Sequence, residues 1–149
     1  MKKNRKLVHV EMEVIPYKDM NYSTPADYQT YCNSKGEEGW FIQSAKTRDW
    51  RYHILLMLHE FVELALVQHR NIKIKDIEKF DLLFEKEYAK GLQKAEDEPG
   101  NDKRACYYKE HQFASKVEKL MAKELDVDLG AYDTELMRLW RPNWKPKKK

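Results

Sequence analysis

Apolar and polar positions alternate along residues 7–15, LVHVEMEVI: Val8, Val10, Met12 and Val14 fall on one face, His9, Glu11 and Glu13 on the other. That period of two predicts a strand, ended by Pro16. The stretch that follows, YKDMNYSTPADYQTYCNSKGEEG, is rich in turn formers and tyrosine. Within it, residues 27–32 (DYQTYC) read as a strand leading through NSKGEEG to a further strand, WFIQSA at 40–45, because Tyr and Thr favour strands. A short helix with Thr24 as cap and Pro25 at its first position is the alternative for 27–32. From residue 50 the period becomes helical. Asp49 is placed to cap a long helix over roughly 50–70, which Asn71 breaks. Ile77, Phe80, Phe84 and Tyr88 recur at helical spacing and predict a second helix over 76–89, closed near Gly91. A charged loop at 95–104 precedes a third helix over 106–125, whose expected buried stripe is Phe113, Val117, Leu120 and Met121. Gly130 separates it from a short last helix at 132–140. Strands first and helices after predict an α+β fold: a small N-terminal antiparallel sheet of two or three strands, three main helices and a short C-terminal helix. The domain is expected over 1–140, with RPNWKPKKK at 141–149 as a flexible basic tail.

Composition narrows the class. At 149 residues, 42% hydrophobic and 36% charged, the chain suits one globular domain with a real core and is too short for two independent ones. The longest central run free of Lys, Arg, Asp and Glu is Tyr52–His59, far short of a membrane span. The N-terminal MKKNRKLVHVEMEV lacks an apolar h-region because Glu11 and Glu13 interrupt it, so no secretory signal is expected and the cytoplasm is the default location. Cys32 and Cys106 have no CxxC spacing and are expected as reduced thiols. The net charge of +3 hides an asymmetry. Lys2, Lys3, Arg5 and Lys6 lie at one end, and Arg138, Arg141, Lys145, Lys147, Lys148 and Lys149 at the other, which leaves an acidic body. That distribution argues against a duplex-binding face. The tail interleaves Trp140 and Trp144 with basic residues, a pattern that can contact single-stranded nucleic acid or phosphate.

The chemistry concentrates in HILLMLHEFVELALV, residues 53–67, where two histidines and two carboxylates stand among residues that are otherwise all apolar. His59 and Glu63, four apart, project from one helical face, and Glu60 lies about 100° further round. A buried, unpaired carboxylate costs several kcal/mol. These groups therefore need protons, cations from elsewhere in the chain such as Arg48, Arg51 or Lys116, or a metal ion. On the third helix His111 and Glu118 lie beside Tyr107 and Ala114; on the second, Asp81 and Glu85 border the apolar stripe. If the three helices pack through these faces, the expected site has His59, Glu63 and His111 as metal ligands, Glu60 as catalytic base, and Asp81 and Glu118 as outer or additional ligands. The set suits Zn²⁺ first, and Mg²⁺ or Mn²⁺ where carboxylates dominate. The alternative is a non-catalytic interaction module in which the polar cluster only fixes helix packing.

His59-Glu60-Phe61-Val62-Glu63 resembles the H-E-x-x-H helix of zincin metallohydrolases, which follows a strand as WFIQSA does here. The resemblance implies His59 as a zinc ligand and Glu60 as general base toward a metal-bound water. Glu63 stands where that family has its second histidine. Glu60-Phe-Val-Glu63 followed by Glu78-Lys-Phe-Asp81 is also similar to the paired E-x-x-E and E-x-x-D helices of all-α nucleoside triphosphate pyrophosphohydrolases, which would imply Mg²⁺ and a triphosphate substrate. The run DWRYxxLxxxHExxE, Asp49 to Glu63, resembles short bacterial and phage proteins and implies no activity. The substrate is not legible.

Overall fold

The computed structural model describes residues 6–141. Its elements are β1 (Lys6–Ile15), β2 (Ala26–Cys32), β3 (Glu37–Ala45), α1 (Trp50–His69), α2 (Ile74–Ala89), α3 (Tyr108–Glu124) and α4 (Leu129–Trp140). A three-stranded sheet followed by helices makes the fold α+β. Residues 27–32 belong to a strand, not a short helix. No helix among the described residues is long and apolar enough to cross a membrane.

The sheet order is β1-β3-β2, and it is mixed. β2 and β3 form the expected antiparallel hairpin, turned at Gly36 with φ 74°, a left-handed conformation that glycine adopts without steric cost. β1 pairs with β3 in parallel, which corrects the expectation of an antiparallel sheet throughout. The cause is the connection over residues 16–25. Ten residues easily cross the two strand spacings, about 10 Å, that carry the chain past the end of β3 to its far side.

Most helix ends follow the expected punctuation, but Gly130, expected to separate α3 from the last helix, lies inside α4, which Asp128 caps. Asp49 caps α1 by accepting a hydrogen bond from the Arg51 backbone N–H. Asn71, at φ 54°, then closes the helix and brings the Ile72 N–H to the Val67 carbonyl at 3.0 Å. Asp126 does the same after α3, and Gly91 after α2, so each main helix ends in a left-handed residue that satisfies its last carbonyls.

α1 is the centre of the molecule. Leu55, Leu56, Met57, Leu64 and Val67 are all buried, and they point to several sides of the helix, as expected of a helix apolar nearly all round. One side meets Tyr28 and Ile42 of the sheet, another meets Ala122, Val127 and Tyr132, and a third meets Ile77 and Tyr107. α3 lies against α1 with Ala114 fully buried, so a methyl group is all that separates the two backbones there.

Two expectations about burial fail. Phe113 and Leu120, assigned to the buried stripe of α3, are 52% and 67% exposed, while Glu110, His111 and Ala114 are buried. The helix is rotated so that its chemistry, not its apolar stripe, faces α1. Arg141, assigned to the tail, is buried: it pairs with Glu85 at 3.0 Å and lies over the Tyr88 ring. The packed chain therefore extends through residue 141. The rest of the tail, including Trp144, lies outside the described residues.

Candidate metal centre

Three ligand atoms from two helices face a single point. His59 Nε2 is 3.3 Å from Glu63 Oε2 and 3.1 Å from His111 Nδ1, and His111 Nδ1 is 2.9 Å from Glu63 Oε2. His59 and Glu63 come from adjacent turns of α1 and His111 from α3. All three residues are buried, and together they form a group that could hold a metal ion. With metal–ligand bonds of about 2.1 Å, neighbouring donors stand about 3.0 Å apart in an octahedral site and about 3.4 Å apart in a tetrahedral one. The triangle has metal-site dimensions.

Each of the three has a neighbour behind it. Glu118 Oε2 sits 2.7 Å from His59 Nδ1, and Tyr132 of α4 donates to the other oxygen of Glu118 at 2.6 Å. Tyr28 of β2 donates to Glu63 Oε1 at 3.0 Å, leaving Oε2 for the triangle. His111 Nε2 faces Glu98 at 3.3 Å, and its ring lies on Gly100, where a Cβ would overlap it. The Glu118 hydrogen bond fixes the His59 ring and raises the basicity of its front nitrogen, whereas Glu98 stands near His111 Nε2 without hydrogen-bonding it.

The electrostatics follow from burial and these contacts. Burial works against charge on His59, but Glu118 and Glu63 outweigh it and raise its pKa to about 11. His111 is raised to about 9, again against burial, by Glu63 and Glu98. Burial would raise Glu63, but the two imidazoles hold it down at about 2. Three electron-pair donors so close together need a positive charge between them, and in the absence of an ion protons supply it.

The remaining predicted residues lie around this triangle. Glu118 is behind His59, outside the group of three. Asp81 accepts from Tyr107 at 2.6 Å and is likewise outside the group, while burial pushes its pKa up to about 7. Glu60 is part-buried beside Glu63; burial and the Glu63 charge raise its pKa well above the usual carboxylate range. Asp27 of β2 joins these acids, raised to about 6 by burial. Glu78 is exposed, so the two-helix acidic quartet turns only part of itself inward.

Among the described residues no Lys or Arg neutralises the cluster. Arg51 binds Asp49 and the carbonyls of Leu125 and Asp126, Arg48 reaches Glu135, and Lys116 is exposed. Among the described residues no Lys or Arg pairs with His59, Glu63 or His111. Sequence reasoning missed Tyr28, Tyr132, Glu98 and Gly100. Nothing local marks any of them, since each reaches the site only through the tertiary fold. The chain matches no family model, no curated protein and no solved structure.

Proposed function

We propose that this is a metal-binding protein in which His59 Nε2, His111 Nδ1 and Glu63 Oε2 hold one divalent cation, Zn²⁺ before Mn²⁺ or Mg²⁺. The observation that carries the reading is the triangle itself, with edges of 2.9, 3.1 and 3.3 Å, and with outer hydrogen bonds behind His59 and Glu63. A metal site needs three donor atoms gathered about one point, and His59, Glu63 and His111 supply them. The ligand chemistry of two imidazoles and one carboxylate favours zinc over magnesium, which prefers oxygen.

Three protein ligands favour catalysis over a purely structural role. Structural zinc sites are closed by four protein ligands, whereas a set of three leaves a position for water or substrate. On this reading a metal held by these three ligands would lower the pKa of a water in its open position, and Glu60, a part-buried carboxylate with no hydrogen bond to the described residues, would be the base that takes up the proton. The reaction class is metal-assisted hydrolysis. The inward-facing acids Asp27, Glu60 and Asp81 favour a second reading, Mg²⁺-dependent cleavage of a nucleoside triphosphate.

Elemental analysis of protein purified without chelator tests the first reading: about one equivalent of metal is expected. A metal-free protein whose melting is unchanged by chelator overturns it in favour of an interaction module. For the catalytic role, Glu60→Gln is expected to keep the metal and lose hydrolysis. Triphosphate cleavage with Mg²⁺ that disappears in Asp81→Ala would select the second reading.

A further inference from the structure

β1 is the longest strand of the sheet, yet it sits at an edge and is exposed along nearly its whole length. Its register against β3 breaks once. Leu7 pairs with Glu38 and His9 with Gly39, which leaves Val8 as an extra, bulged residue. The bulge decides the faces. Lys6, His9, Glu11 and Glu13 share one, as shown by Lys6 beside Glu37, His9 beside Phe41 and Glu13 beside Gln43. Leu7, Val10, Met12 and Val14 share the other, in line with the buried Ile42 and Ser44. The helices cover β2 and β3 on that side but leave these four side chains 38–46% exposed.

An edge strand with a free row of amides and an apolar face is a template for another strand. Its charge order points to the partner. When two β1 strands run antiparallel about a two-fold axis at Val10, and Val8 stays unpaired as it does against β3, His9 faces Glu11 of the other copy and Lys6 faces Glu13. On the opposite face Leu7 meets Met12, and Val10 meets its own copy. Lys6 and Glu13 are of opposite sign, the His9 ring N–H can donate to the Glu11 carboxylate, each polar pair occurs twice by symmetry, and each apolar residue meets an apolar one. Shifting the axis to Met12 would set Glu11 against Glu13, which is repulsive. An isologous contact requires this kind of self-complementarity.

We propose that β1 is a homodimer interface, in which two copies join their sheets edge to edge into one six-stranded sheet centred on Val10. The pairing is independent of the metal reading. It satisfies the open strand backbone, and it leaves untouched the metal centre, which α1 and α3 hold and which touches the sheet through Tyr28 of β2.

Sedimentation of the full chain between about 1 μM and about 1 mM tests it, with reversible doubling of the monomer mass expected. His9→Glu places glutamates opposite Glu11 at two symmetric points and is expected to weaken association by about tenfold or more. Adding Glu11→Lys removes the repulsion by setting opposite signs face to face and is expected to recover the wild-type association. Both positions are about half exposed, so the fold should be unaffected, which circular dichroism checks. A chain that stays monomeric overturns the proposal. So does a dimer indifferent to both His9→Glu and Val10→Lys, which would place the contact elsewhere. Slow hydrogen exchange in a monomer of the outward-facing β1 amides, those not bonded to β3, would mean that the chain's own ends cover the strand, and would also overturn it.

Discussion

The α1–α3 seam and the β1 face reverse the usual distribution of side chains in opposite directions. At the seam, His59, Glu63, Glu110 and His111 are buried; on β1, Leu7, Val10, Met12 and Val14 are exposed. Burying an imidazole–carboxylate cluster costs free energy unless every group finds a partner, and exposing an apolar strand forgoes burial worth about 25 cal/mol per Å². Neither arrangement is favoured by the stability of a lone, ligand-free domain. Both make sense if each region is completed from outside, the seam by a cation and the strand by another chain. Sites maintained against local preference are where function is expected.

Removing a ligand from the seam should break that contrast most severely. His59→Ala takes away one corner of the triangle and leaves Glu118 and Glu63 facing each other across an empty space. Bound metal is expected to fall from about one equivalent to near zero, and the melting-temperature difference between metal-loaded and chelated protein to vanish with it; that difference corresponds to about 2.7 kcal/mol at free metal a hundredfold above Kd. Retention of a full equivalent in both His59→Ala and Glu63→Gln would end the reading.

Disturbing the groups behind the ligands should have a smaller effect. Glu118→Gln keeps the size of the side chain but removes the charge behind His59, and is expected to weaken metal binding about 10- to 100-fold with stoichiometry intact at high metal. Equilibrium titration against a competing chelator measures this. An unchanged Kd would mean that Glu118 only packs.

pH separates proton from metal as the cation at the seam. In metal-free protein the His59 and His111 pKa values of about 11 and about 9 lie above the ordinary 6.5. Their contribution to stability is therefore complete below pH 6.5 and is lost as pH rises through 9 and toward 11. Glu63, held at about 2 against an ordinary 4.5, sets the acid edge: its contribution is present above 4.5 and lost as pH falls through 2. Chelated protein should thus melt at falling temperature from about pH 6.5 to about pH 10. Metal affinity should run the other way over pH 6 to 8, because the ligands must shed protons to bind. A flat alkaline melting profile in chelator would show that the imidazoles carry no buried charge.

How much of this was legible varies by level. α1 was readable almost to the residue, from the Asp49 cap to the Asn71 break, because capping chemistry and an apolar run agree there. The meeting of His59, Glu63 and His111 was foreseen from helical spacing and the cost of burying carboxylates. The parallel pairing of β1 was not, since alternation sets which side chains share a face but not which strand lies next door. Nor was the rotation of α3: Phe113 and Leu120 look like its core face by composition, and only the demands of His59 and Glu63 on the facing helix explain why His111 and Ala114 take that place. Tyr28 reaches Glu63 from across the fold, and Gly100 meets His111 through the loop before α3, contacts that no local pattern encodes.

The smallest expected effect tests the other half of the contrast. Val14→Thr replaces a methyl group with a hydroxyl on the exposed face of β1 without changing shape. Val14 lies outside the residues matched about the Val10 axis, so self-association should not respond. With the side chain already 38% exposed and the strand's β propensity retained, the stability of the chain should shift by no more than about 0.5 kcal/mol. Leu64→Ala, at a fully buried position between the sheet and α1, should cost about 2–5 kcal/mol under the same denaturant titration. The ratio of the two carries the argument. A large loss from Val14→Thr would mean that the β1 face is already packed within one chain, and the strand would then have no apolar surface left to offer a second copy.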